Sequence, residues 1–221
     1  MTLHFINAKL IDPESGNIIS GTLSVDRGKI SKVSTDMAPL PADAQVIDCK
    51  GRYLAPGIVD LGVKVCEPGE RHKESYRSAG MAAAAGGVTT MITRPDTNPA
   101  IDSPEVLEFV TRRANEAAPV NVVPMAALTK GRAGREMTEI GFLMDAGAAA
   151  FTDCDRVITD TKVFSRALTY ARSLGALVIA HPQEPILSKG RLRPPANLRR
   201  YADCLPCRPW LNGWGWTATL P

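Results

Sequence analysis

The residues best placed by type to do chemistry lie in the stretch Gly57–Asp102 of this 221-residue chain. Two apolar, strand-like segments there open into polar loops. The first opens into Lys64, Cys66 and Glu67-Pro68-Gly69, the second into Pro95-Asp96-Thr97-Asn98-Pro99. In α/β proteins such strand-end loops carry binding and catalysis. Lys64 becomes a nucleophilic amine only if burial lowers its pKa; a salt bridge to Glu67 or Asp153 is the plainer expectation. Cys66 has no histidine near it in sequence to act as its base. Thr129-Lys130-Gly131-Arg132 reads as a solvated turn or an anion contact. Cys204 and Cys207 form a C-x-x-C pair without the strand–helix context of a redox motif. His72 is expected on the surface at a helix start, and His4 is expected to be structural, on an edge strand.

The elements that must position these groups follow from pattern. Residues 2–9 alternate as a half-buried strand, and Asp12–Gly16 is a turn. Strands are predicted at 18–25, 29–33 and 45–48, which makes a small N-terminal β unit over 1–55. From Gly57 the rhythm changes to strand and helix in alternation. Strands are predicted at 57–65, 88–93, 120–126, 148–151 and 177–181. Helices are predicted at 72–85, 103–117, 135–146 and 160–174, with Gly86, Gly147 and Gly175 as stops and Ser103-Pro104 as a start. Apolar strands alternating with amphipathic helices argue a parallel sheet covered by helices.

Composition excludes several function classes. The chain is 44% hydrophobic and 22% charged, ordinary for a globular protein. No apolar run approaches the roughly 20 residues of a membrane span. The N-terminus lacks a basic-then-apolar leader, so the expected compartment is the cytoplasm. Five scattered cysteines are not a disulfide framework. The net charge of +3 comes from residues 191–221, which hold five arginines and one acid; the remainder has 21 basic and 22 acidic residues. No electrostatic case for nucleic acid remains.

Taken in order, several motifs resemble the dihydroorotase branch of the amidohydrolase superfamily. They are Leu54-Ala55-Pro56-Gly57-Ile58-Val59-Asp60, Glu67-Pro68-Gly69 with His72-Lys73-Glu74, Ala85-Gly86-Gly87-Val88-Thr89-Thr90, Pro95–Pro99, Thr129–Arg132, Ala150-Phe151-Thr152-Asp153 and His181. The resemblance implies a small β-sandwich unit (1–55) beside a (β/α)8 TIM-type barrel, present here as about five strands over 56–189. It implies zinc-dependent interconversion of N-carbamoyl-aspartate and dihydroorotate in pyrimidine biosynthesis. It also implies metal ligands at Asp153 and His181, and substrate contacts at Asp96 and Asn98.

This chain departs from the family pattern in one pocket. The family's His-x-His pair puts two ligands on one strand face, because side chains alternate with period two. Gly62 and Lys64 stand at those positions. Cys66 replaces an arginine that grips the substrate carboxylate, and Asp96 replaces an asparagine. One carboxylate and one histidine do not make a tight zinc site, since a catalytic one wants three protein ligands. The expectation is therefore a chain without tightly bound zinc, with no residue assigned a catalytic role. Two functions follow: an amidohydrolase with an altered metal site, or a non-catalytic paralogue that serves as a scaffold for aspartate transcarbamoylase.

Residues 190–221 break the pattern abruptly and hold all three tryptophans. A back-translation shifted by one nucleotide yields an amphipathic, helix-like phrase, so this tail is expected to be read out of frame. Sequencing the gene across codon 190 is expected to reveal family-like sequence in the shifted frame; an open frame without it overturns the idea. Five parallel strands also leave sheet edges unpaired, so the chain is expected to associate into homo-oligomers or aggregates. A soluble monomer that unfolds cooperatively would contradict this.

Overall fold

A computed structural model describes residues 2–35 and 44–181. The predicted tail at 190–221, including Cys204 and Cys207, lies outside the described residues. The chain divides into two compact units, Met1–Gly57 and one that begins at Ile58.

The first unit is a mixed five-stranded sheet. Strands β1 (Thr2–Ile11), β2 (Ile18–Asp26), β3 (Lys29–Ser34) and β4 (Gln45–Asp48) lie in the order β3-β2-β1-β4, and β5 (Tyr53–Leu54) also pairs with β1. The β1–β2 and β2–β3 pairs are antiparallel; β4 and β5 run parallel to β1. The described residues of the unit form this mixed sheet. Its buried apolar residues are Ala8 and Leu10. His4 is buried on β1, where its Nδ1 lies 2.8 Å from Ser24 Oγ.

The sheet of the second unit is parallel. Strands β6 (Ile58–Val63), β7 (Val88–Thr93) and β8 (Asn121–Pro124) form a sheet in chain order. It is extended by single parallel bridges, Ala126 to Phe151 and Phe151 to Val178. The backbone bonds there keep the spacing of a ladder: Thr152 N–H to Ala126 O at 2.9 Å and Ile179 N–H to Phe151 O at 2.9 Å. Five segments thus run side by side, as the strand–helix alternation predicts, but the last two pair too briefly to be strands. Helices α1 (Tyr76–Ala85), α2 (Pro104–Ala117), α3 (Ile140–Asp145) and α4 (Thr161–Leu174) alternate with them. On α2 the buried residues are Leu107, Val110 and Ala114, a helical stripe. They join Val65, Tyr76, Met91, Ile101, Leu128, Ile140, Leu143 and Phe151 in one core.

Local chemistry sets the helix ends. The predicted start of α1 at His72 moves to Tyr76, and His72 is exposed in a turn. Ser75 is the N-cap, and it and Ser78 form a reciprocal capping box. Glu67, nine residues upstream, accepts the Tyr76 N–H at 3.0 Å. On α4, Asp160 caps the Lys162 and Val163 amides, and Gly175 ends the helix in the left-handed conformation. The predicted helix 135–146 shortens to Ile140–Asp145 because the residues before it are spent elsewhere. Met137 bridges Thr129, and the Thr138 N–H bonds Leu128 O at 3.0 Å.

Glu67 ties these elements together. Besides capping α1, it accepts a hydrogen bond from Arg113 Nε of α2 at 2.8 Å and faces Arg71 at 3.5 Å. Burial pushes its carboxyl up, but the Arg113 hydrogen bond, the Tyr76 amide and the two guanidinium charges outweigh that. The group sits below the usual glutamate range. A carboxyl depressed in the folded state adds stability above its unfolded pKa, lost as pH falls through the folded value. Glu67→Gln is therefore expected to cost about 2 kcal/mol at pH 7. The difference from wild type should shrink toward zero as the pH drops below about 4. Urea unfolding of both proteins across that range measures it.

Candidate functional site

In a parallel α/β sheet the carboxyl ends of the strands gather on one side, and ligands bind there. Here that side receives Gly62 and Lys64 at the end of β6, and Arg94, Asp96 and Asn98 after β7. It also receives Thr129 and Arg132 beyond Ala126, Asp153, Cys154 and Asp155 beyond Phe151, and His181 beyond Val178.

The end of β6 is not a regular strand. Its pairing with β7 slips between Leu61 and Val63, and Gly62 is the extra residue, with φ +91°. This is a β-bulge with glycine in a conformation that side chains with a Cβ disfavour. Simple alternation puts positions 62 and 64 on one face; the bulge interrupts that alternation. Position 62 thus lacks a ligand atom and also has a backbone ill-suited to a histidine.

Lys64 does not pair with Glu67 or Asp153, the partners expected from sequence. Its Nζ lies 3.1 Å from Asp96 Oδ2. Glu67 is committed to α1 and α2, and Asp153 to the adjacent turn. The same Asp96 oxygen accepts a 2.9 Å hydrogen bond from Arg94 Nη2. Arg94 also reaches Asp155 Oδ1 at 3.8 Å, and Arg132 Nη2 holds that oxygen at 2.5 Å. Burial pushes the Asp155 carboxyl up, but its own backbone amide and the Arg132 and Arg94 charges leave it below its ordinary value. Of these residues, Arg94 and Asp155 were not singled out from the sequence. The available signal was position: Arg94 directly follows β7, and Asp155 lies two residues after Asp153.

Asp153 is buried and its carboxylate is fully engaged. Oδ1 accepts the Leu128 and Thr129 amides, both at 3.0 Å, and Oδ2 accepts the Thr129 hydroxyl. The Arg132 guanidinium donates to the Asp153 carbonyl at 3.1 Å. The Thr129–Arg132 segment is therefore a clamp on the 153–155 segment rather than a solvated turn; Arg132 and Thr129 are both buried. Cys154, half-buried beside Arg94, has its thiol pushed up chiefly by burial, with Asp96 adding to the effect. That is the opposite of an activated nucleophile. Cys66 is partly exposed. Asn98 is exposed; its carbonyl oxygen lies 2.5 Å from where a Cβ on Gly69 would sit, so the Glu67–Gly69 loop needs glycine to approach it. His181 is exposed at the end of its segment.

These residues do not fit zinc. Among the described residues no group of three or more His, Cys, Asp or Glu side chains could hold a metal ion. Asp153 offers its oxygens to backbone and hydroxyl donors, and the cation beside Asp96 is Lys64. No helix among the described residues is long and apolar enough to cross a membrane.

A family model described as dihydro-orotase-like matches residues 51–199. The chain is 36% identical over 183 residues to a dihydroorotase of Sulfurihydrogenibium sp. (strain YO3AOP1), covering 83% of this chain and 43% of that one. It is 39% identical over 191 residues to a dihydroorotase of Bacillus cytotoxicus, covering 86% and 44%. With a dihydroorotase-like protein of Pseudomonas putida it shares 38% over 192 residues, covering 87% and 45%. The chain thus spans less than half the length of these relatives. Among solved structures, the L-hydantoinase of Arthrobacter aurescens superposes with a TM-score of 0.73 at 20% identity, over 85% of this chain and 42% of that one. A D-hydantoinase gives 0.73 at 22%, over 99% and 49%. The likeness to those barrels establishes a partial (β/α)8 fold. With the family model spanning most of the chain and the strand-end motifs in the family's order, the chain belongs to the dihydroorotase-like family of amidohydrolases.

Proposed function

We propose that this chain is a non-catalytic dihydroorotase-type protein that keeps the amidohydrolase framework as a cytoplasmic scaffold, with aspartate transcarbamoylase as its partner in pyrimidine biosynthesis. The observation that carries this reading is the closed charge arrangement at the strand ends. Opening the cyclic amide of dihydroorotate near neutral pH needs an activated water and a polarised carbonyl, which zinc supplies in this family. Neither Gly62 nor Lys64 offers such a metal a ligand, and Asp153 already has its donors.

The substrate side argues the same way. Asp96 and Asn98 stand where the family grips an anionic substrate. Asp96 brings a negative charge to that place, and its cations are already spent on it. Cys66 offers no positive charge where the family has a guanidinium. The loop framework of Glu67-Pro68-Gly69 and Pro95–Pro99 remains, because Glu67 and Gly69 serve the packing of the fold.

Zinc analysis of the purified chain, with an assay of dihydroorotate hydrolysis and co-purification with the transcarbamoylase, tests this. Metal-free co-purification without turnover is expected; stoichiometric zinc with turnover overturns it in favour of an altered amidohydrolase. Installing the missing pair is expected not to rebuild the centre. The double variant Gly62→His/Lys64→His should be less stable by at least about 1 kcal/mol from the strained backbone at position 62. Its zinc content should remain well below one ion per chain.

A further inference from the structure

Lys64 and Asp96 are both departures from the family pattern, and the structure brings them into contact. Lys64 comes from the end of β6 and Asp96 from the loop after β7. Their charged atoms lie 3.1 Å apart. The Asp96 side chain is only 3% exposed, so its charge needs a cation close by. Both cations meet it at one oxygen, Oδ2. Its other oxygen, Oδ1, is buried and has no hydrogen-bond partner among the described residues. Among the described residues the carboxylate therefore has Lys64 and Arg94 as its ion-pair partners. From Arg94 the alternation continues to Asp155 and Arg132, and Arg132 closes on the Asp153 carbonyl. Four neighbouring strand ends are joined by one run of alternating charges.

We infer that Lys64 and Arg94 are the resident cations of this strand-end cluster: they balance Asp96 and join the strand ends, and Lys64 and Asp96 form a compensated pair. The inference rests on the reading that the cluster is not a metal centre. It adds that the replacements are coupled to each other rather than independent losses. An acid at position 96 is tolerated because a cation stands at position 64, and folding of this unit requires no metal ion.

A double-mutant cycle on the full 221-residue chain tests it, with Lys64→Met, Asp96→Asn and the double variant compared by urea unfolding. Each single change is expected to raise the unfolding equilibrium constant. The double should lie closer to wild type than the product of the singles by about tenfold, a modest value because Lys64 is 55% exposed and screened. EDTA and added zinc are expected to leave the wild-type midpoint unchanged. Lys64→Arg, which keeps the cation, should retain the midpoint that Lys64→Met loses; where Asp96→Asn does not fold, this comparison carries the test, and equal midpoints overturn the inference. Independent effects in the cycle, with no response to zinc, overturn the coupling and leave the non-catalytic reading standing. A wild-type midpoint raised by stoichiometric zinc overturns both.

Discussion

A carboxylate withdrawn from water must be matched by positive charge or by several donors, and the strand ends of this protein are organised round that requirement. Three buried acids, Asp96, Glu67 and Asp153, and the exposed Asp155 stand there or just behind, and each is answered differently. Asp153 is answered by two amides and a hydroxyl, Glu67 by an amide and two guanidinium groups, Asp155 by Arg132 and Arg94, and Asp96 by Lys64 and Arg94. These are also the contacts that fix the loops. Glu67 sets where α1 begins and how α2 packs on it. Asp153 and Arg132 hold the Thr129–Arg132 turn against the segment after Phe151. The contacts that hold these loops thus also occupy the carboxylates of the strand ends.

The backbone reinforces the side chains. A His-x-His pair works only if the strand alternates through it, and the bulge at Gly62 interrupts that alternation at the place concerned. Replacing two side chains would therefore not return β6 to a ligand-presenting strand without strain. The sheet also carries exposed apolar side chains on β6, where Leu61 is 74% exposed, as are Ile58 and Val59 in lesser degree. Parallel strands are ordinarily covered on both faces, so this edge is the part of the described fold least resolved by its own packing.

Much of the fold was legible. Strands β1 to β4, β6, β7 and β8 and helices α2 and α4 lie within a few residues of where alternation, caps and glycine stops put them. The misplacements share a cause in contacts distant along the chain. The start of α1 depends on Glu67, and on a capping box whose second member is a serine rather than the usual acid or amide. The start of α3 depends on Met137 and Thr138 being taken by Leu128 and Thr129. The segments around Phe151 and Val178 have strand-like composition but too few bonded residues to count as strands. Short-range pattern does not report such competition.

The site divides in the same way. Sequence alone determined the family resemblance and the residue types at Gly62, Lys64, Asp153 and His181, because those are matters of residue type and order. Only the tertiary structure decided what these residues do instead. Lys64 pairs with Asp96, Asp153 is spent on the turn at Leu128 and Thr129, and Arg94, Asp155 and Arg132 complete the cluster. The physical reason is that an ion pair or a buried carboxylate is defined by distance and exposure. Strand ends far apart in sequence become neighbours only when the parallel sheet sets their carboxyl ends side by side.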